Sequence, residues 1–108
     1  MKSPICVAGP MSGYDENNFP HFEHVTKKLR ELGFEVLSPH EAKVGENPTW
    51  DYCMRVDLAM LLQANTVVTL PNWECSRGAS LEVYIAKALG ITVLPSSYVL
   101  RFAGLPMP

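Results

Sequence analysis

The chain has 108 residues, of which 47% are hydrophobic, and a formal net charge of -2. That length means one domain, spanning residues 1–108, with enough apolar side chain to build a core. The slight acidic balance argues against a dedicated nucleic-acid binder, which usually shows a basic face, but leaves small anionic ligands open, because one site can be positive on a chain that is not. No apolar run is long enough to suggest a membrane span, and Met1-Lys2-Ser3 leads into an apolar segment without signal-peptide architecture. Cys6, Cys53 and Cys75 are an odd number without metal-ligand spacing and read as free thiols of a reducing compartment. The expected location is therefore the cytoplasm, with no membrane partner.

Taken in chain order, residues 4–8 read as a short buried strand broken by Gly9-Pro10. A polar loop from Met11 to Asn18 follows, and a helix starts near Phe19-Pro20. Phe22, Val25, Leu29 and Leu32 give that helix an apolar face at helical spacing, and Gly33 stops it. Residues 34–37 read as a second strand. The segment 38–50 is rich in turn residues, among them Pro39, Gly45 and Pro48, and makes a candidate lid or site wall. A helix is expected over 51–64, with Met54, Leu58, Leu61 and Leu62 inward. A strand follows over 66–70, a helix over 76–89 stopped by Gly90, and a strand over 91–94. From residue 95 on, three prolines oppose a long regular element.

This alternation predicts an α/β protein with a parallel sheet and right-handed crossovers. Ligands in such sheets bind beyond the carboxyl ends of the strands. The loops after Ala8, Leu37 and Leu70 therefore converge on one cleft.

The most informative stretch is Thr66 to Glu82, in which a β run ends, a polar loop follows, and a helix opens on Ser76-Arg77-Gly78-Ala79-Ser80. Free N–H groups at a helix start meet anions, and Arg77 would add charge. The plainer reading makes Ser76 an N-cap and Arg77 a solvated side chain. Gly9-Pro10-Met11-Ser12-Gly13 is neither a dinucleotide fingerprint nor a triphosphate loop, and stands between a ligand-approach loop and an ordinary turn. Glu82, flanked by Leu81 and Val83, needs a partner or a pocket unless it is exposed. Asp57, between Val56 and Leu58, would orient a hydroxyl or assist proton transfer, or simply face solvent. Arg55 is a candidate to pair across the cleft. Trp50, Trp73 and Tyr14 would stack on a base or else anchor loops and interfaces. His21, His24 and His40 form no metal-ligand pattern, and no metal or other cofactor is implied.

Certain residues together resemble a known group. They are Val7-Ala8-Gly9-Pro10-Met11-Ser12-Gly13, Asn18-Phe19, Trp50 with Tyr52-Cys53-Met54-Arg55 and Asp57-Leu58, Leu70-Pro71-Asn72-Trp73-Glu74, Ser76-Arg77-Gly78-Ala79, Glu82, and Ala86 with Ala88-Leu89-Gly90. The pattern, over roughly residues 4–95, resembles a small phage and bacterial family of the DUF4406 type. That family looks like a compact branch of the nucleoside 2-deoxyribosyltransferase superfamily. The resemblance implies a three-layer, Rossmann-like (flavodoxin-like) fold with a parallel sheet of four or five strands. It implies an enzyme that cleaves the N-glycosidic bond of a nucleoside 5'-monophosphate, ribo or deoxy, with a modified pyrimidine base among the candidates. In a phage that chemistry would run in the host cytoplasm.

By the same resemblance Glu82 attacks C1' and Asp57 holds the sugar or departing base. Gly9, Met11, Ser12, Gly13, Trp50, Asn72, Trp73, Ser76, Arg77 and Gly78 line the substrate site, with phosphate on Ser76, Gly78, Ser12 and Gly13. The chain departs from the superfamily near Leu70-Pro71-Asn72, where many members carry a second acid. The donor of the leaving-base proton is thus left open, with Asn72 and Glu74 as the substitutes at hand. Base exchange between deoxynucleosides is the close alternative, although the apolar tail ending in Met107-Pro108 lends it little. A non-catalytic nucleotide-binding module is the other. A homodimer or homotetramer is expected, packed through the helices at 51–64 and 76–89, since superfamily sites borrow neighbouring residues.

Overall fold

The structure, a computed structural model, describes residues 4–103. The readings placed on Met1-Lys2-Ser3 and on Met107-Pro108 lie outside the described residues. Four strands, β1 (Ile5–Ala8), β2 (Val36–Leu37), β3 (Thr66–Thr69) and β4 (Thr92–Pro95), form one sheet in the order β2-β1-β3-β4, with every pairing parallel. Helices α1 (Phe19–Glu31), α2 (Trp50–Leu61), α3 (Arg77–Ala88) and α4 (Ser96–Ala103) connect or follow them. This is the expected small Rossmann-like α/β fold, with four strands.

Side chains alternate along β1, so its residues serve two cores. Ile5 and Val7 pack with Phe22, Val25 and Leu29 of α1, and Val99 and Leu100 of α4 join that cluster. Cys6 and Ala8 point the other way and pack with Leu61, Ala64, Val67 and Ala86 on the side of α2 and α3. The chain moves from β1 to β2 on one side and from β3 to β4 on the other, so β1 and β3 flank the point where the strand order reverses. Ligand crevices open at that point in such sheets.

Several sequence expectations need correction. The second strand is confined to Val36–Leu37, because Phe34 and Glu35 are exposed and carry the chain out of the Gly33 turn. Leu32 and Leu62, expected inward, are 44% and 63% exposed. Each is the C-cap residue of its helix, where the backbone leaves the apolar stripe. The tail holds a regular element after all: Pro95 ends β4, and the next eight residues, which contain no proline, form α4. Among the described residues Arg55 makes no ion pair, so it does not bridge the cleft.

Gly33 and Gly90 terminate α1 and α3 with φ of +93° and +75°, as their positions predicted. No helix among the described residues is long and apolar enough to cross a membrane.

Candidate functional site

The helix starts at the carboxyl edge of the sheet are built by ordinary capping. Thr49 Oγ1 accepts from the Tyr52 N–H at 3.2 Å and opens α2, while Ser76 Oγ accepts from the Ala79 N–H at 3.2 Å and opens α3. Ser76 therefore has the plain N-cap role. The N–H groups of Arg77 and Gly78 lie in the first turn, where a helix offers no acceptor of its own. Ser80 Oγ donates back to the carbonyls of Glu74 and Trp73 at 3.1 and 3.4 Å, which fixes the loop before α3 rather than facing the cleft.

Below these starts lies a pair of acids. On α2 the inward stripe reads Met54, Asp57, Leu58, Leu61, and on α3 it reads Ala79, Glu82, Val83, Ala86. Both carboxyls thus stand at i, i+3, i+4, i+7 positions that a soluble helix gives to apolar residues. Glu82 is 3% exposed, and its Oε2 has no hydrogen-bond partner among the described residues. Burial, and after it the charge of Asp57, push the Glu82 carboxyl up to about 8. Burial alone pushes the half-buried Asp57 up to about 6. Asp57 ionises first, and its charge then opposes ionisation of Glu82. The pair therefore resists carrying two negative charges, and Glu82, the more buried of the two, is the one that favours its protonated form more strongly.

Cys6 of β1 closes the floor. Its buried thiol is pushed up to about 12, first by burial and then by the charges of Glu82 and Asp57, which places it within reach of both. A protonated thiol under two carboxyls is inert as a nucleophile.

The mouth is formed by the first residues of the two helices. The Arg77 guanidinium lies over the Trp50 ring, 3.7 Å from the centroid. A Cβ on Gly78 would meet Met54 Sδ at 3.0 Å and Trp50 Nε1 at 3.9 Å. Trp50 and Met54 of α2 therefore pack against the first turn of α3 at Gly78.

The remaining sequence candidates are spread along the same edge. Gly9 is a packing glycine: a Cβ there would fall 2.7–2.8 Å from Leu70 Cβ, Cδ1 and Cγ. Met11 packs into the core on the α1 side, away from the acids. Ser12 is exposed, as is Gly13, whose φ is +85°. Asn72 takes a left-handed conformation, φ 65°, at the end of the third-strand loop, and Trp73 is half-buried in the short turn after it.

Sequence reasoning missed three participants. In the sequence Met54 reads as core and as part of the family pattern, Cys6 as a free thiol, and Asn18 as part of the family pattern. Asn18 Nδ2 donates to the Pro10 carbonyl at 3.0 Å and ties the first loop to the start of α1. His40 is held by Ser38, with Oγ and Nδ1 2.6 Å apart, and its ring packs on Phe19 and Phe22. That is a structural role.

A parallel α/β sheet whose strand order reverses between β1 and β3, with buried Glu82 and half-buried Asp57 on the helices packed beside it, defines the fold class of this protein. The chain belongs to the family described as "Domain of unknown function (DUF4406)", whose model matches residues 3–95. Its fold is similar to that of a conserved protein from Enterococcus faecalis V583, with a TM-score of 0.71, 19% identity, and 88% of this chain and 63% of that one covered. It is also similar to the 2-deoxyribosyltransferase of the psychrotolerant bacterium Bacillus psychrosaccharolyticus, with a TM-score of 0.67, 22% identity, and 85% and 70% coverage. The chain thus spans less than two thirds of the first of these structures. At such identities the likeness establishes the fold. A search of curated protein sequences finds no match.

Proposed function

We propose that this protein acts at the N-glycosidic carbon of a 2-deoxynucleoside or its 5'-monophosphate, and passes the deoxyribosyl group through Glu82 to an acceptor. The observation that carries the reading is the acid pair itself. An unpartnered buried carboxyl raised to about 8 beside a second carboxyl raised to about 6 is a poor structural device. It is a reasonable catalytic one.

In the first half-reaction a Glu82 carboxylate oxygen bonds to C1', and the C1'–N bond breaks with its electron pair going to the base nitrogen, which takes up a proton. In the second half the acceptor's nitrogen bonds to C1', the C1'–Oε bond breaks, and the acceptor gives up a proton. Protons balance over the cycle. The oxocarbenium character at C1' is stabilised by the carboxylates. Asp57 would hold the sugar or the departing base.

Transfer to a second base is the leading reading, supported by the fold shared with a 2-deoxyribosyltransferase. Transfer to water, the hydrolysis of a 5'-monophosphate, is the second. It is favoured by the start of α3, where the first-turn N–H groups of Arg77 and Gly78 and the Arg77 guanidinium suit a phosphate. Without turnover the same pocket would be a nucleotide-binding module.

The test is chromatography of free base after incubation with 2'-deoxynucleosides and their 5'-monophosphates, with and without a second free base. New nucleoside appearing only with the second base supports transfer, and free base without it supports hydrolysis. Both should vanish in Glu82→Gln. Binding without either product would leave the binding module.

A further inference from the structure

The stacking of the Arg77 guanidinium on Trp50 is not accounted for by the chemistry just described, which offers that guanidinium to a phosphate. Each is the first residue of its helix, α2 or α3, and each helix start lies at the carboxyl edge of the sheet. Below them come Met54 and Gly78, and below those Asp57 and Glu82. At the rise of an α-helix Trp50 stands roughly 10 Å above Asp57 along α2, about the length of a nucleoside.

The indole is 39% exposed and the guanidinium is exposed as well. Among the described residues Arg77 makes no ion pair, so its cation is satisfied by the ring face and water. A guanidinium on an indole is a stack of two planar groups, and an aromatic face of this kind is a surface on which nucleobases stack. Removing the guanidinium from the ring frees a planar, five-donor cation next to the unsatisfied N–H groups of its own residue and of Gly78. Those groups together favour an oxyanion.

We infer that Trp50 and Arg77 form a latch that selects for a ligand carrying both a planar ring and a phosphate. In the unliganded protein the guanidinium covers the indole. On binding, the ligand's ring takes its place on Trp50, and Arg77 turns to the phosphate. Loss of the stack is thereby offset only when the ligand is phosphorylated. The inference rests on the reading that the cleft takes a nucleoside or nucleotide. It goes further in naming Arg77, a residue that touches ligand but not the reacting carbon, as the group that discriminates phosphorylated from unphosphorylated forms.

The experiment labels the protein with 5-fluorotryptophan. Its two fluorine resonances are assigned with Trp73→Phe, and the protein is titrated with the four common 2'-deoxynucleoside 5'-monophosphates and the matching nucleosides. The latch predicts that the Trp50 resonance shifts at saturation. It also predicts that Arg77→Ala and Arg77→Gln weaken monophosphate binding by about tenfold or more while nucleoside binding holds or strengthens, because the ring no longer has to displace the guanidinium. Arg77→Lys should restore part of the affinity. An unshifted Trp50 resonance with ligand bound, an equal loss for both ligand types, or no binding of either would each overturn it. Base release and exchange are read by chromatography in the same samples. Binding with the predicted Arg77 pattern but without turnover would keep the latch and discard the glycosidic chemistry. Turnover without that pattern would do the reverse.

Discussion

Glu82 is the residue on which the account turns, and its protonation makes two predictions. A carboxyl whose folded value lies above its unfolded one binds more protons in the native state. Native stability therefore falls as pH rises, here between about 4.5 and about 8. Glu82→Gln, which keeps the shape of the protonated form, removes that loss. Urea titrations of parent and variant should agree near pH 4.5 and diverge above it, the variant gaining as much as ~1.4 kcal/mol per pH unit. Parallel curves would show that Glu82 is not held protonated by burial. If ionised Glu82 is the nucleophile, kcat/KM should climb close to tenfold per pH unit and level off near pH 8. A profile flat from pH 6 to 8 would contradict that role. Both acids were legible in the sequence as candidates, and their burial was legible in principle. Each interrupts an apolar stripe, Met54-x-x-Asp57-Leu58-x-x-Leu61 and Ala79-x-x-Glu82-Val83-x-x-Ala86. Their facing each other was not, because it depends on how α2 and α3 pack across β1 and β3.

The elements bring these residues together through close contacts that tolerate little change. Gly9 leaves β1 against Leu70, and an added methyl would overlap Leu70 Cβ, Cγ and Cδ1 at 2.7–2.8 Å. Gly9→Ala should lower the free energy of unfolding by about 1–3 kcal/mol, as measured by denaturant titration. Combining it with Leu70→Ala should bring little relief, because Leu70 Cβ is itself among the contacts. Full rescue by Leu70→Ala would show that only the flexible end of the side chain is in the way. The same position illustrates how far a sequence pattern carries: two glycines in the first loop pointed to close approach or positive φ. Gly9 is the first and Gly13 the second, and the close approach at Gly9 is to Leu70, brought beside it by the parallel pairing of β1 with β3. The order of strands and helices was readable from apolar runs and glycine stops. The exposed C-cap leucines, Leu32 and Leu62, and α4 were not, because the apolar period continues past the point where the backbone leaves the helix, and because Pro95 reads as a breaker when it precedes a helix start.

For the whole molecule, the outer faces of α2 and α3 carry exposed Tyr52, Leu62, Tyr84 and Leu89, between 49% and 73% accessible. Large apolar side chains left exposed on neighbouring helices are material for an interaction site. We propose a homodimer or homotetramer through this face. Size exclusion with light scattering should give at least twice the 12.0 kDa chain mass, and Tyr84→Glu should shift it toward the monomer. A monomer at micromolar concentration would remove the proposal. Length and the superfamily resemblance pointed to an assembly through the helices at 51–64 and 76–89, but which of their side chains stand exposed could be named only from the structure. The central claim is that Glu82 carries a deoxyribosyl group from one base to another, and its most direct test is stereochemical. Each donor, phosphorylated or not, is incubated with a second free base, and the anomeric configuration of the new product is read by proton NMR. Two displacements at C1' predict a β-configured product containing the second base, absent with Glu82→Gln. An α-configured product, or no new product from any donor with the folded protein, would contradict the account.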